Sequence, residues 1–491
     1  MKQNVLIIGA GLSGLVTAKT LLEYGYPVTV FEKEAEIGGV WAPSRRYPGL
    51  TTQNTRDTYA FSDFRMPRDY PEFPSGEQMQ AYLKAYAAHF QVIPVIRLNH
   101  TVENAVLEND GKGFRWTIAG KAGSQPFEAK GDFLIICNGT FSEPAIPSIP
   151  GMEAFTRQGG AILHTSTAGA PGPYAGKRVA VVGFGKSACD LAAAIAGETE
   201  HTYLIYRQTK WKVPKRILGI NYKYFILTRF GEALTKLRYR NTAERLLHAL
   251  GIPKRIFGFM QRIFSKQQQL DASGLRPDKP ITDMLYGELS VESDGFYQNV
   301  RDQKITAIRG EISAFHPGGV TVPGAGDLAL DTVIFGTGFH QNLPFLPKIL
   351  KDQLTDSDGN YLLYRNILPV RVPALAFVGY NSSFFCNLTS EIAALWLCEY
   401  LEKRIDLPAP ADMEKQIREH LAWRQQFRQN ALYKNASVYP FNLTYVDWLL
   451  KDMHARLPLG ALLSEWLVVV EPGNYAGVKR NIMRHANIAA R

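Results

Sequence analysis

The sequence predicts an α/β chain of two Rossmann-like dinucleotide-binding domains, the second inserted in the first, with a basic helical insertion inside the second. Three observations predict it. A strand, glycine-rich turn, helix, strand pattern runs through residues 4–32. The same pattern recurs at 178–207. Two further strands, near 133 and 332, run into Asn138-Gly139-Thr140 and Thr337-Gly338-Phe339 on either side of the second copy. The length agrees, because 491 residues exceed what one core organises. At 46% hydrophobic and 20% charged, the chain is not disordered, collagen-like or a coiled-coil rod.

The first pattern starts with the apolar run NVLII, as for a strand buried on both faces. Gly9-Ala10-Gly11-Leu12-Ser13-Gly14 follows, then a helical repeat through Leu15, Ala18, Leu21 and Leu22, then VTVFE ending at Glu32. Gly9 permits the tight turn, Gly11 lets a pyrophosphate reach the backbone, and Gly14 lets helix and strand pack closely. The helix start offers free N–H groups and a positive dipole end to phosphate. Glu32 stands where a carboxylate accepts from ribose hydroxyls and repels a 2′-phosphate, so this cradle should take FAD or NAD. Gly38-Gly39-Val40-Trp41 then lets backbone lie against the ligand.

The second pattern reads RVAVV, Gly183-Phe184-Gly185-Lys186-Ser187-Ala188, the helix CDLAAAIA, then TYLIY and Arg207. Twenty-three residues after Gly9 comes Glu32; twenty-three after Gly183 comes Tyr206, with Arg207 next. The acid is replaced by a cation that can grip a phosphate, so this cradle should prefer NADPH to NADH. Two such cradles in one chain imply a flavoenzyme reduced by a nicotinamide.

The proline-rich stretch Pro144, Pro147, Pro150 leads into the second copy, and the turn after 332–336 leads back. Residues 1–150 and 331–450 therefore read as the FAD domain, 151–330 as the NADP domain with 216–270 inserted, and 451–491 as a C-terminal extension. No repeat is evident beyond the duplicated cradle.

The net charge of +10 is concentrated. Residues 201–270 hold 15 Lys or Arg against Glu232 and Glu244, and the rest of the chain is slightly acidic. Ile252, Ile256, Met260 and Ile263 recur at helical spacing with Phe257 and Phe264 beside them, and Phe230, Leu234 and Leu237 make a shorter stripe. Two readings stand: an amphipathic helix lying on an anionic membrane surface, or an insertion whose apolar face packs on the protein. No nucleic-acid recognition module is present.

Together these motifs resemble the flavin-containing monooxygenases, the class B flavoprotein monooxygenases, over nearly the whole chain. The carriers are GAGLSG with GGVW, Gln53-Asn54-Thr55-Arg56-Asp57 with FSDF and DYPEFPS, GFGKSACD, FGTGF at 335–339, and NLTSE at 387–391. The family fingerprint FxGxxxHxxx(Y/F) aligns at 158–168, where Gly160 and His164 are kept and both aromatics are lost. Ala168 stands where the Baeyer–Villiger branch has Trp, whereas Tyr47-Pro48-Gly49 leans toward that branch. The resemblance implies FAD and NADPH as cofactors and O2 and a small-molecule substrate as partners. It implies transfer of one oxygen atom to an amine nitrogen or thioether sulfur through a C4a-hydroperoxyflavin, as in N,N-dimethylaniline monooxygenases. Asn54 takes the catalytic position, against flavin and NADP+. The implied cofactor contacts also include Leu12, Ser13, Lys33, Gly39, Val40, Trp41, Gln53, Thr55, Val102, Asn138, Gly139, Lys186, Ser187, Ala188, Asp190, Thr337, Gly338 and Asn387. Alternatives are Baeyer–Villiger oxygenation or hydroxylation of a lipophilic substrate, an NADPH oxidase or reductase, and a non-catalytic chain that keeps the fold.

Cys137, Cys189, Cys386 and Cys398 lie far apart with no CxxC, against a disulfide framework, a zinc ribbon or a dithiol redox pair. They are expected to be buried and inert. No metal site is expected. No run approaches a bilayer span, and the start has no cleavage-site pattern, so neither a membrane span nor a signal peptide is expected. A reducing cytoplasm, with peripheral membrane contact through 216–270 as an option, fits best. Homo-oligomerisation stays open.

Overall fold

The computed structural model describes residues 2–485 apart from 110, 112, 170–171, 237–239, 286–288, 382 and 427–442. Leu237 of the shorter stripe lies outside the described residues.

Two five-stranded parallel sheets organise the chain. The first runs Leu375–Phe377, Phe133–Ile136, Val5–Ile8, Val28–Phe31, Ile96–Arg97. Its residues alternate between two cores because successive strand side chains point to opposite faces. Val5, Ile7, Val30 and Ile135 pack toward the helix Leu12–Glu23, with Leu15, Val16, Ala18 and Leu21. Leu6, Ile8, Phe31 and Leu134 pack toward a three-stranded antiparallel meander, His100–Asn109, Phe114–Ala122, Gln125–Gly131, through Ala105, Trp116 and Ile118.

The second sheet repeats the plan. Its order is Ile305–Arg309, His201–Tyr206, Arg178–Val182, Thr332–Phe335, Ala161–His164, again parallel. One face packs on the helix Lys186–Ile195. The other packs on a second meander, Ala314–His316, Gly319–Val322, Gly326–Ala329. The repeat therefore reaches well beyond the cradle. Corresponding pieces occur in the same order: strand, cradle, helix, strand, meander, return strand.

The boundary expected at 330 moves. Thr332–Phe335 pairs with Arg178–Val182 and Ala161–His164 inside the second sheet, so it belongs to the second unit and not to the first. The chain enters and leaves that unit through an antiparallel pair, Glu143–Pro144 with Phe339–His340.

Residues 216–270 fold as a hairpin, Arg216–Ile217 with Ile220–Asn221, and the helices Lys223–Ile226, Arg229–Thr235, Thr242–Ala249 and Ile252–Gln267. The Ile/Phe stripe faces inward: Phe257 and Phe264 are buried, and Ile256, Met260 and Ile263 pack on the core. This stripe is thus spent on packing. A different set is exposed, Leu218, Ile220, Tyr224, Phe225 and Phe259, with Arg255 and Arg262 on the same helix as Phe259 also exposed.

The last helices close on both units. Cys386–Leu401 packs along Leu12–Glu23. Arg229 of the insertion reaches Asp447 and Glu465, and Lys479 of Asn474–His485 reaches Asp63 and Glu391. Among the described residues no helix is long and apolar enough to cross a membrane.

Candidate functional site

At the first cradle the helix Leu12–Glu23 starts at Gly11 with no capping side chain and no acid in its first turn. Its N–H groups are left for an anion. Gly9 has φ +105°, and a Cβ at Gly14 would lie 1.9 Å from the Gly9 carbonyl oxygen, so the helix sits this close only because residue 14 has no side chain. Gly39 lies against Gly11, and the Gly38 N–H donates to the Ala10 carbonyl at 3.1 Å. Glu32 accepts from the Ala10 N–H at 2.7 Å and the Glu34 N–H at 3.0 Å. Burial pushes its carboxyl above the ordinary range, partly offset by those two donors. Ser13 Oγ is 3.0 Å from Ser390 Oγ, and Asn138 lies behind Gly9, its Nδ2 donating to the Asn342 carbonyl while Oδ1 accepts from Tyr380.

Asn54 is buried beside this cradle. Its Nδ2 donates to the Phe384 carbonyl at 2.6 Å, and its own carbonyl accepts from Thr52 Oγ1. Its Oδ1 has no hydrogen-bond partner among the described residues. Five residues on, Tyr59 binds the same loop to the helix Cys386–Leu401, because Asn387 Nδ2 donates to the Tyr59 carbonyl at 2.9 Å. Trp41 stands edge-on to Tyr59, and Thr55 pairs with Thr58. The loop and helix thus gather Trp41, Asn54, Thr55 and Asn387 at one edge of the cradle.

The second cradle has the same form. Lys186–Ile195 starts at Gly185 with no side-chain cap and no first-turn acid. Lys186 pairs with the buried Asp190, and Ser187 Oγ accepts from Thr165. A Cβ at Gly183 would meet the Gly336 carbonyl at 2.5 Å, and Ala188 closes the third glycine position against Gly336. Arg207 is half-exposed at the strand end, 3.9 Å from Glu311. The cradles meet through Tyr47, whose hydroxyl is 3.3 Å from Asp190 Oδ2. Thr337 Oγ1 donates to the Ala145 carbonyl across the linker. His164 Nε2 donates to the Gly338 carbonyl at 2.9 Å and its Nδ1 accepts from the Ser166 N–H, a satisfied histidine.

Val102 is buried in the meander core with Phe31. Lys33 is exposed beside Glu34, Val40 is exposed, and Gly139 sits at φ +77° in open space. Leu12 is the first residue of the cradle helix. Cys137, Cys189 and Cys398 are buried, whereas Cys386 is half-buried with its Sγ 3.0 Å from the Tyr59 hydroxyl. Sequence reading missed the residues that hold Asn54 and Gln53: Phe384 through a main-chain carbonyl, and Tyr222 and Val291 from the second unit. A main-chain acceptor leaves no residue-type signal.

Two uncapped helix starts, glycines where side chains would collide, and a buried amide oxygen with no partner among the described residues fit two dinucleotides with a flavin ring near Asn54. The family model described as Flavin-binding monooxygenase-like matches residues 2–463. The chain is 27% identical over 497 residues to a probable flavin-containing monooxygenase 1 of Arabidopsis thaliana, covering 92% of this chain and 91% of that protein. S-allyl-L-cysteine S-oxygenase from Allium sativum superposes with a TM-score of 0.60 at 20% identity, covering 99% of this chain and 94% of the other. Cyclohexanone monooxygenase from Rhodococcus sp. Phi1 bound to NADP+ superposes with a TM-score of 0.67 at 17% identity, covering 95% and 98%. At such identities the two structural matches speak for the fold.

Proposed function

Because the chain belongs to the flavin-binding monooxygenase-like family, and is thus an FAD- and NADPH-dependent flavoprotein monooxygenase, we propose that it transfers one oxygen atom of O2 to a soft nucleophile, an amine nitrogen or a thioether sulfur. When bound and reduced by NADPH, flavin would supply the activation of dioxygen, the route that the family resemblance implies. The chain's own groups bind and shield. The start of Leu12–Glu23 holds one pyrophosphate and Glu32 receives its ribose; the start of Lys186–Ile195 holds the other, and Arg207 meets the 2′-phosphate. Loop 52–59 and the helix Cys386–Leu401 cover the reacting end and keep water from it.

The observation that carries this reading is the Asn54 amide. It is 1% exposed, pinned through Nδ2, and offers a bare Oδ1. An unsatisfied buried acceptor is costly, so a donor on the bound cofactors is its natural partner. An amide does this without titrating near neutral pH. The test is Asn54→Ala, measuring NADPH consumed, product formed and H2O2 released. Product per NADPH should fall about tenfold, the worth of one buried hydrogen bond, with H2O2 making up the difference. Full oxygenation per NADPH by the variant would refute the role. Screening amines, thioethers and ketones with product mass spectrometry decides the substrate class. Lactones or esters from ketones alone would replace this reading by Baeyer–Villiger insertion, the branch toward which the Tyr47-Pro48-Gly49 motif leans by resemblance.

Peripheral membrane contact is proposed for the outer surface of 216–270, where Leu218, Ile220, Phe225 and Phe259 are exposed among Arg216, Arg255 and Arg262. Co-sedimentation with anionic vesicles should be salt-sensitive; equal recovery with and without vesicles removes the idea. A reducing cytoplasm is proposed on the sequence spacing of the four cysteines, which form no CxxC.

A further inference from the structure

Residues 53 and 54 are neighbours held from opposite sides. Asn54 is fixed by the first unit, through Phe384 and Thr52. Gln53 is fixed by the second. Its carbonyl accepts from the Tyr222 hydroxyl, and its Oε1 accepts from the Val291 N–H at 3.1 Å. Tyr222 belongs to the insertion, is 1% exposed, and stacks on Phe73 with an interplanar angle of 17°. The next residue, Lys223, pairs with Asp57, and Arg216 pairs with Glu72. Hence the insertion grips the loop that carries Asn54 at Gln53 and Asp57, and the neighbouring segment at Glu72 and Phe73, and the peptide bond joining Gln53 to Asn54 is where the two sets of restraints meet. Burial also holds the Tyr222 hydroxyl neutral and donating at any working pH.

We infer that Tyr222 is a positioning residue: by donating to the Gln53 carbonyl it sets the Gln53–Asn54 peptide, so that the second unit controls where the Asn54 amide points. This rests on the monooxygenase reading above. Its consequence is a partition between two balanced reactions. With Asn54 in place, substrate, O2, NADPH and H+ give oxygenated substrate, water and NADP+. With Asn54 displaced, O2, NADPH and H+ give H2O2 and NADP+, and the substrate is untouched. The insertion is then part of the coupling machinery, in addition to any surface it presents.

The test removes one oxygen atom. In Tyr222→Phe holoenzyme, amide hydrogen exchange across residues 52–58 should quicken about fivefold, and product per NADPH should fall about fivefold with H2O2 rising to match, the effect of one buried hydrogen bond. Lys223→Met, which frees Asp57, should shift both readouts in the same direction, and it decides the matter if Tyr222→Phe loses its flavin. Exchange and stoichiometry equal to wild type would overturn the inference. So would faster exchange with unchanged stoichiometry, since Tyr222 would then brace the loop without acting on Asn54. Wild-type enzyme that oxygenates none of the screened nucleophiles would instead defeat the parent reading, and the exchange data alone would then judge whether Tyr222 holds the peptide.

Discussion

Replacing Lys479 by methionine should destabilise the enzyme, by an amount that shrinks as pH falls. Lys479 Nζ lies 2.5 Å from Asp63, 3.2 Å from Glu391 and 4.0 Å from Glu23, and Lys19 Nζ lies 2.6 Å from Asp63 and 2.7 Å from Glu23. Both lysines are at most 5% exposed. Two cations therefore face three carboxylates. At about 4 Å and an effective dielectric near 20, each pairing is worth about 4 kcal/mol before desolvation. Removing one partner of a buried group costs about 3–5 kcal/mol, because the rest is left uncompensated. In the wild type the two lysines hold the Asp63 carboxyl below its usual range, against the opposing effect of its burial. That contribution is present above the unfolded carboxylate pKa and is lost as pH falls through the lower folded one, so this part of the stability should be constant from about pH 5 to 8. With Lys479 gone, Lys19 still faces Asp63 and Glu23 but Glu391 loses its cation. The buried Asp63 carboxyl then loses one of the two cations that hold it low, the folded variant binds more protons than the folded wild type, and the stability lost on substitution should shrink as pH drops from 7 toward about 4.5. Urea midpoints followed by tryptophan fluorescence at several pH values test this. A midpoint within error of wild type and an unchanged pH trend would show that the cluster is hydrated and the reasoning wrong.

Other perturbations have equally definite outcomes. Arg207→Gln should lower the preference for NADPH over NADH by about ten- to a hundredfold, the worth of a charge-assisted phosphate contact, measured as the ratio of kcat/KM values; an unchanged ratio would remove Arg207 from the site. Gly14→Ala places a Cβ within 1.9 Å of a carbonyl oxygen, so the purified variant should lose bound flavin, read from its visible spectrum. Burial lowers the His164 pKa to about 4, so the folded state resists a proton that the unfolded chain accepts below about 6.5. Stability should fall as pH drops from about 6.5 to 4, by on the order of 3 kcal/mol, and His164→Asn should flatten that slope in urea titrations.

The two cradles were legible because their signals are local: the glycines, the helix and the strand-end residue lie within about thirty residues of one another. The repeated meander was not, because its strands are half-exposed and carry side chains such as Val102, Trp116, Phe315 and Val320 that share a role without sharing identity. The return strand Thr332–Phe335 was legible as a strand but not as a member of the second sheet, since pairing across more than 150 residues leaves no local mark. The inward stripe of Ile252–Gln267 shows the limit of amphipathic patterns: periodicity says that one face is apolar but not what covers it. Asn54 was legible through resemblance. Its restraints, the Phe384 carbonyl and the Tyr222 hydroxyl, are tertiary and were not.

The hydrogen-bonded crossing of Glu143–Pro144 with Phe339–His340 makes the nicotinamide half a cassette with adjacent ends. A homologous half of another length or surface could be spliced at these four residues without stretching the flavin half. The splice would have to bring along its own counterparts of Tyr47's seat and the grip on Gln53. Recombining such halves offers a direct route to altered coenzyme choice, with coupling efficiency as the quantity that reports whether the graft has taken.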